Sequence, residues 1–321
     1  MGLTFHRICC RITTVAVPAW HGAEAFTPTW ASAAPTRSAT VPAMTTAVAI
    51  TPKTTGVGTL LREWRDRRKI SQLELALRAD SSSRHISFIE TGRSRPSQEM
   101  VLRLAEHLDV PVRERNALLI AAGYAPAFPE TPMDDPSMTA LRAGMERLLT
   151  GYEPFPALVV DGTYHVQAAN RGITMLLEGV DESLLRPPLN AMRITLHPGG
   201  LAPRIRNFLE WRGHLFAQME RQLALLRSAP LRALYDEVRE YPLPEGGREV
   251  AAFGEHPPFA LPMMIEHRGT VLSFISTIAT FNTPMDVTVS ELAVETFLPA
   301  DPETVAHLQG GTWDVPRPTA S

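Results

Sequence analysis

The chain has 321 residues, 44% of them hydrophobic and 20% charged, with a formal net charge of −3. That length exceeds one average domain and carries enough apolar residues for a sizeable core. It holds two cysteines, the adjacent Cys9 and Cys10, which offer neither a disulfide framework nor a thiolate metal set and accord with a reducing cytoplasm. No apolar run approaches the roughly 18–20 residues that would span a bilayer.

In chain order, residues 1–56 come first. Arg7, Arg11 and "ITTVAVPAW" carry a fragment of a secretory leader pattern, which Pro18 interrupts. "TPTWASAAPTRSATVPAMTTAVAITPKTTG" then mixes Ala, Thr and Pro with almost no charge or period, so it is expected to be a disordered extension. Met44 is a sensible start for the translated chain, and an over-long gene model is one explanation of residues 1–43.

From Thr59 the pattern changes. Leu60, Leu61, Trp64 and Ile70 predict an amphipathic helix over about 58–68. Ser71 with Glu74 three residues on forms a capping box for a second helix carrying Leu75, Ala76 and Ala79. "DSSS" breaks it after Asp80, and Ser82 caps a third helix with Ile86 and Ile89 inward and Gly92 as its stop. Ser97 caps a fourth, striped by Met100, Val101, Leu104, Ala105 and Leu108. A fifth runs from Pro111 to Gly123. Five short helices with a tight break between the second and third make a helix-turn-helix pattern over 57–126.

Charge is concentrated in this region. From Arg62 to Arg95 there are nine Lys/Arg against five acids, a local +4 that leaves −7 elsewhere. A basic module on an acidic remainder points to nucleic acid. Within "SSRHISFIETGRSRPS", Ser83, Arg84, Ser87 and Phe88 project from the third helix opposite Ile86 and Ile89. Arg84 suits a bidentate contact to guanine, Ser83 and Ser87 suit bases or phosphate, and Phe88 suits a thymine methyl. Gln72 is expected at a phosphate, and Arg93 and Arg95 against the DNA backbone. A small helical bundle with a merely solvated charged face is the plainer alternative.

"SQLELALRADSSSRHISFIETGRSRPSQEMVLRLAEHLDVPVRERNALLIAAGYAP" resembles the helix-turn-helix of XRE-type bacterial regulators, within the subgroup that carries an MmyB-like ligand-binding domain. The resemblance implies DNA-contacting positions at Gln72, Ser83, Arg84 and Phe88. That family usually has Gly-Val in the turn, where this chain has Asp80-Ser81. Asp at a position of positive φ and Ser in a valine slot imply a cost of about 1–2 kcal/mol.

"AFPETPMDDPSM" reads as a linker over 127–137, with a helix from Met138 to Leu149. Ala157–Val160, a turn at Asp161-Gly162 and Thr163–Gln167 predict a hairpin, after which Asn170 caps a short helix with Ile173, Leu176 and Leu177. Helices are expected at 203–227 and 231–240, and strands at 249–253, 259–267, 270–281 and 286–288. The order is that of an α/β PAS-like sensor domain over 138–308, and this stretch too resembles the MmyB-like domain; 309–321 is expected to be a loose tail.

No Gly-x-Ser-x-Gly, Gly-x-Gly-x-x-Gly, phosphate loop or His-Glu-x-x-His occurs, so no catalytic residue, metal or cofactor is expected. Met175, Arg204, Trp211, His214, Met264 and Phe274 are the candidate ligand-lining residues, although Met and Phe also simply fill cores. A fatty acid is the first candidate ligand, its carboxylate paired with Arg204, Arg206 or His214. The expectation is therefore a cytoplasmic regulator of two domains: an all-α five-helix module on an operator in double-stranded DNA, and a sensor of a small apolar ligand. It is expected to act as a homodimer assembled through the second domain, without membrane association. The alternatives are an enzyme with its active site in the second domain, and an adaptor that binds no ligand.

Overall fold

A computed structural model describes residues 56–226, 228–244 and 260–310. The expectations for 1–55, 249–253 and 311–321 lie outside the described residues.

The first five helices are α1 (Val57–Arg67), α2 (Gln72–Arg78), α3 (Ser83–Glu90), α4 (Gln98–His107) and α5 (Val112–Ala121). Each serine read as a cap is one. The Ser71, Ser82 and Ser97 hydroxyls accept from the amides of Glu74, His85 and Met100 at 3.1, 3.1 and 3.2 Å, contributing about 1 kcal/mol apiece. The reciprocal half of the capping box is replaced, because Glu74 Oε1 takes the Arg78 guanidinium one turn along. Leu61, Trp64, Leu75, Ile86, Ile89, Val101, Leu104 and Leu118 meet in one buried cluster.

The turn between α2 and α3 tightens as its sequence requires. Asp80 takes φ +49°, and the Ser81 amide reaches back to the Ala76 carbonyl at 2.8 Å. α1 crosses the end of α3 at Gly58, where a Cβ would stand 2.2 Å from the Ile89 carbonyl oxygen. Only glycine permits that approach.

Beyond this cluster run α6 (Thr139–Tyr152), β1 (Ala157–Val160), β2 (Val166–Ala169), α7 (Arg171–Leu176), α8 (Ala191–Leu196), α9 (Phe208–Leu225) and α10 (Ala229–Arg239). They are followed by β3 (Met263–His267), β4 (Thr270–Thr280), α11 (Val287–Glu291), β5 (Ala293–Pro299) and α12 (Pro302–Gly310). The strands form one antiparallel sheet in the order β2-β1-β5-β4-β3, with the last strand at its centre. This is the helix-turn-helix plus PAS-like architecture expected. Both faces of the sheet are covered. Ala157, Val159 and Val294 pack with Met145 and Leu149 of α6, while Leu158, Phe274 and Phe297 join the core with Trp211, Leu215, Leu231 and Leu234 of α9 and α10.

Three local expectations are corrected. The second hairpin strand starts at Val166, because the Asp161 carboxylate holds the turn through the Thr163 amide and hydroxyl and the His165 amide at 2.8–3.0 Å, with Tyr164 at φ +62°. The stretch 286–288 belongs to α11, capped by Asp286 Oδ1 on the Val289 amide. β5 was not foreseen.

Candidate functional site

The outward face of α3 is built by the inward one. Ile86 and Ile89 are 1% exposed, which at 100° per residue turns Arg84, Ser87 and Phe88 the other way. Ser83 and Arg84 are exposed, and Ser87 and Phe88 are half-buried. The Arg84 guanidinium lies 5.3 Å from the centre of the Phe88 ring, an arrangement that holds its extended side chain over α3.

A buried charge cluster fixes α3 against its neighbours. The Glu90 carboxylate accepts from Arg65 Nε at 2.6 Å and Nη2 at 3.1 Å, and from Gln72 Nε2 at 2.8 Å. Arg65 also donates to the Ile70 carbonyl at 2.9 Å, and the Glu90 pairing raises its pKa. Gln72, expected at a phosphate, thus spends one amide hydrogen inside the protein. Its second hydrogen and its oxygen remain for another partner.

Arg93 is exposed just past α3. Arg95, expected against the DNA backbone, is exposed as well and also engages the protein's own backbone. It donates to the Ala122 and Gly123 carbonyls at 3.1 and 3.4 Å and lies 5.3 Å from the Tyr124 ring centre. Those carbonyls end α5, and a cation there satisfies orphan acceptors and the helix dipole.

The candidate ligand residues do not meet in one pocket. Met175, Trp211 and Phe274 are 4%, 3% and 0% exposed within a single packed cluster. His214 stacks on Trp211 at 5.3 Å, and burial of its ring lowers its pKa. Arg206 pairs with Glu266, and the Met264 amide bonds Asn207 Oδ1 at 3.0 Å. Arg204, whose guanidinium donates to the Leu176 carbonyl, lines an open cleft of about 440 Å³ with Glu178, Glu266, His267 and Arg268. His267 has both ring nitrogens bonded within the protein, Nε2 to Glu178 at 3.2 Å and Nδ1 to His307 at 3.0 Å. Burial lowers its pKa, which suits a neutral ring that donates to Glu178 and accepts from His307.

Sequence reasoning also missed the joint between the two regions. Arg113 of α5 takes Glu291 of α11 through Nε and Nη2 at 2.6 and 3.0 Å, and Glu130 through Nη1 and Nη2 at 3.0 and 2.7 Å. The paired carboxylates raise its pKa further. Beside it, Thr131 Oγ1 donates to Asp286 Oδ2 at 2.6 Å and the Val287 amide to the Pro129 carbonyl at 2.8 Å. Asn116 clamps the Phe128 carbonyl at 2.7 Å and the amides of Ala127 and Phe128 at 3.0 and 3.1 Å. Partners separated by 178 positions leave no sequence signal.

The MmyB-like transcription regulator ligand binding domain model matches residues 141–310, more than half the chain. The chain belongs to this family. A helix-turn-helix model matches residues 61–115. The MmyB-like chain is 34% identical over 114 residues to the uncharacterized HTH-type transcriptional regulator RghRB of Bacillus subtilis (strain 168), covering 35% of this chain and 73% of that protein. The crystal structure of the clp gene regulator ClgR from Corynebacterium glutamicum shares 28% identity over 30% of this chain and 86% of its own, with a TM-score of 0.19. The protein is therefore a helix-turn-helix transcriptional regulator with an MmyB-like ligand-binding domain. Among the described residues no helix is long and apolar enough to cross a membrane.

Proposed function

We propose that α3 reads an operator through Ser83, Arg84, Ser87 and Phe88, with Gln72 and Arg93 on the flanking phosphates. The carrying observation is that one face of α3 is locked into the core while the face bearing Arg84 stays uncovered. Two such helices about 34–36 Å apart in a homodimer would meet successive major grooves. The module 57–126 has no heptad seam, so the dimer contact is assigned to the region 138–308.

A small ligand with an apolar body accords with the Met, Leu and Phe interior of that region. The acyl carboxylate fits less well, because Arg206 pairs with Glu266 and Arg204 bonds a carbonyl. Ligand binding would shift the protein between two placements of its α3 helices, through the Arg113–Glu291 joint. An enzyme sited at the polar cleft is disfavoured, since neither nitrogen of His267 is left for a substrate.

The test is Arg84→Ala in the full chain, with footprinting and salt titration. The expected loss is about 1–3 kcal/mol at the cognate site, with relaxed preference at one base pair. Unchanged preference among operators would remove Arg84 from the reading role.

A further inference from the structure

The strand β4 is only half paired. It runs for 11 residues, and β5 pairs with it in unbroken register from Phe274 to Thr280. On its other side β3 reaches only from Thr270 to Phe274. Among the described residues nothing pairs with that side of β4 from Ile275 to Thr280, about 20 Å of strand at 3.3 Å per residue.

The backbone groups on this edge follow from the register. The Ser273 carbonyl accepts from the Ala300 amide at 2.8 Å, and the Ser273 amide donates to Thr304 Oγ1 at 2.9 Å, so Ser273 faces the β5 side. Residues two apart face the same way. Ile275, Thr277 and Ala279 therefore turn their amides and carbonyls to β5, while Ser276, Ile278 and Thr280 turn theirs to the open edge. An open edge is usually guarded by charge, proline, a bulge or short length. Here no Asp, Glu, Lys, Arg or Pro occurs between Thr270 and Thr283. Thr277, Ile278, Ala279 and Thr280 are all exposed, and three of those four are the β-branched residues that favour a strand.

We propose that this edge is where two copies of the chain meet, each β4 pairing antiparallel with the other across a two-fold axis at Ile278. The three outward residues are symmetric about Ile278. Ile278 bonds Ile278 of the partner subunit, and Ser276 and Thr280 bond Thr280 and Ser276 of the partner subunit. Three such pairs, each exchanging two hydrogen bonds, satisfy every open amide and carbonyl on both strands. The strand is uncharged, so the axis brings no like charges together, and a foreign peptide finds no charge to select it. A contact of this length falls among interfaces below about 1,200 Å², which make weak, reversible pairs. Two half-sites on one operator then hold the pair together. The assignment rests on the homodimer reading above and names its surface.

Sedimentation velocity on the full chain over a dilution series tests it, together with amide exchange. The parent should form a dimer that dissociates on dilution, and the amides of Ser276, Ile278 and Thr280 should lose protection as it does. Ile278→Pro removes the central donor without touching the β5 ladder, because that N–H faces the open edge. Both central bonds go with it, so the dimer should weaken by at least about tenfold. Ile278→Thr keeps the N–H and a β-branched side chain and should stay dimeric. Thr277 and Ala279 of the partner subunit stand opposite one another in this register. Thr277→Lys/Ala279→Lys should therefore be monomeric, as should Thr277→Glu/Ala279→Glu, and an equal mixture of the two should dimerise. A dimer indifferent to Ile278→Pro, or a mixture that stays monomeric, overturns the edge and leaves the homodimer reading standing. Protection of the three amides that does not change on dilution also overturns it, since the same chain then covers the edge. A parent that is monomeric at every concentration overturns the edge and the homodimer reading together.

Discussion

Glu90→Ala tests whether the reading helix is held by charge as well as by apolar contact. The Glu90 side chain is 3% exposed and that of Arg65 11%. Removing one partner of a buried ion pair typically costs about 3–5 kcal/mol, because the remaining charge is stranded. Arg65 keeps two other contacts, to the Ile70 carbonyl and to Asp66 at 2.8 Å, so the lower end of that range, about 3 kcal/mol, applies. For a module of this size that is roughly 12–24 °C in Tm. The amides of α1, α2 and α3 should lose hydrogen-exchange protection together, and operator affinity should fall although Glu90 touches no DNA. The Arg65→Leu/Glu90→Leu double variant should recover most of the loss, since an apolar pair of similar volume removes both charges. A loss below about 1 kcal/mol in Glu90→Ala, or a double variant as unstable as the single one, would refute the argument.

Gly58→Ala places a methyl 2.2 Å from the Ile89 carbonyl oxygen. It should cost about 3 kcal/mol and loosen α3, whereas Gly213→Ala in α9, with nothing within 4 Å of the new carbon, should gain about 0.5–1 kcal/mol; denaturant melts compare the two. Arg113→Ala should change stability by no more than about 1 kcal/mol, because Arg113 and Glu130 are exposed and Glu291 is only half-buried. It should also flatten the response of operator affinity to bound ligand, and an unchanged response in operator titration would exclude the joint as the coupling route.

The module was legible because its signals are local. Serine three residues ahead of an amide, Ile86 and Ile89 three apart, and Asp80 at the break each act within one turn of chain. The sheet was less so. β5 turns Val294 toward α6 and Phe297 toward α9 with Glu295 and Thr296 between them, so it lacks the apolar–polar alternation of a half-buried strand. The run "DVTVSEL" has the β-branched look of a strand, but the Asp286 cap decides for helix. Arg95 illustrates a different limit: a basic residue beside α3 looks the same in sequence whether or not it also bonds the carbonyls at the end of α5.

The joint between the two regions engages α5, while Ser83 and Arg84 of α3 stay open to solvent. Among the described residues nothing shutters the proposed reading surface. In the proposed dimer each copy would grip a half-site whether or not the sensor is filled, and a ligand would adjust the gauge between two grips, like the track width of an axle. Operators that differ only in the number of base pairs between identical half-sites should therefore sort into those favoured with ligand and those favoured without it. One protein could then repress at one spacing and release at another in response to the same molecule.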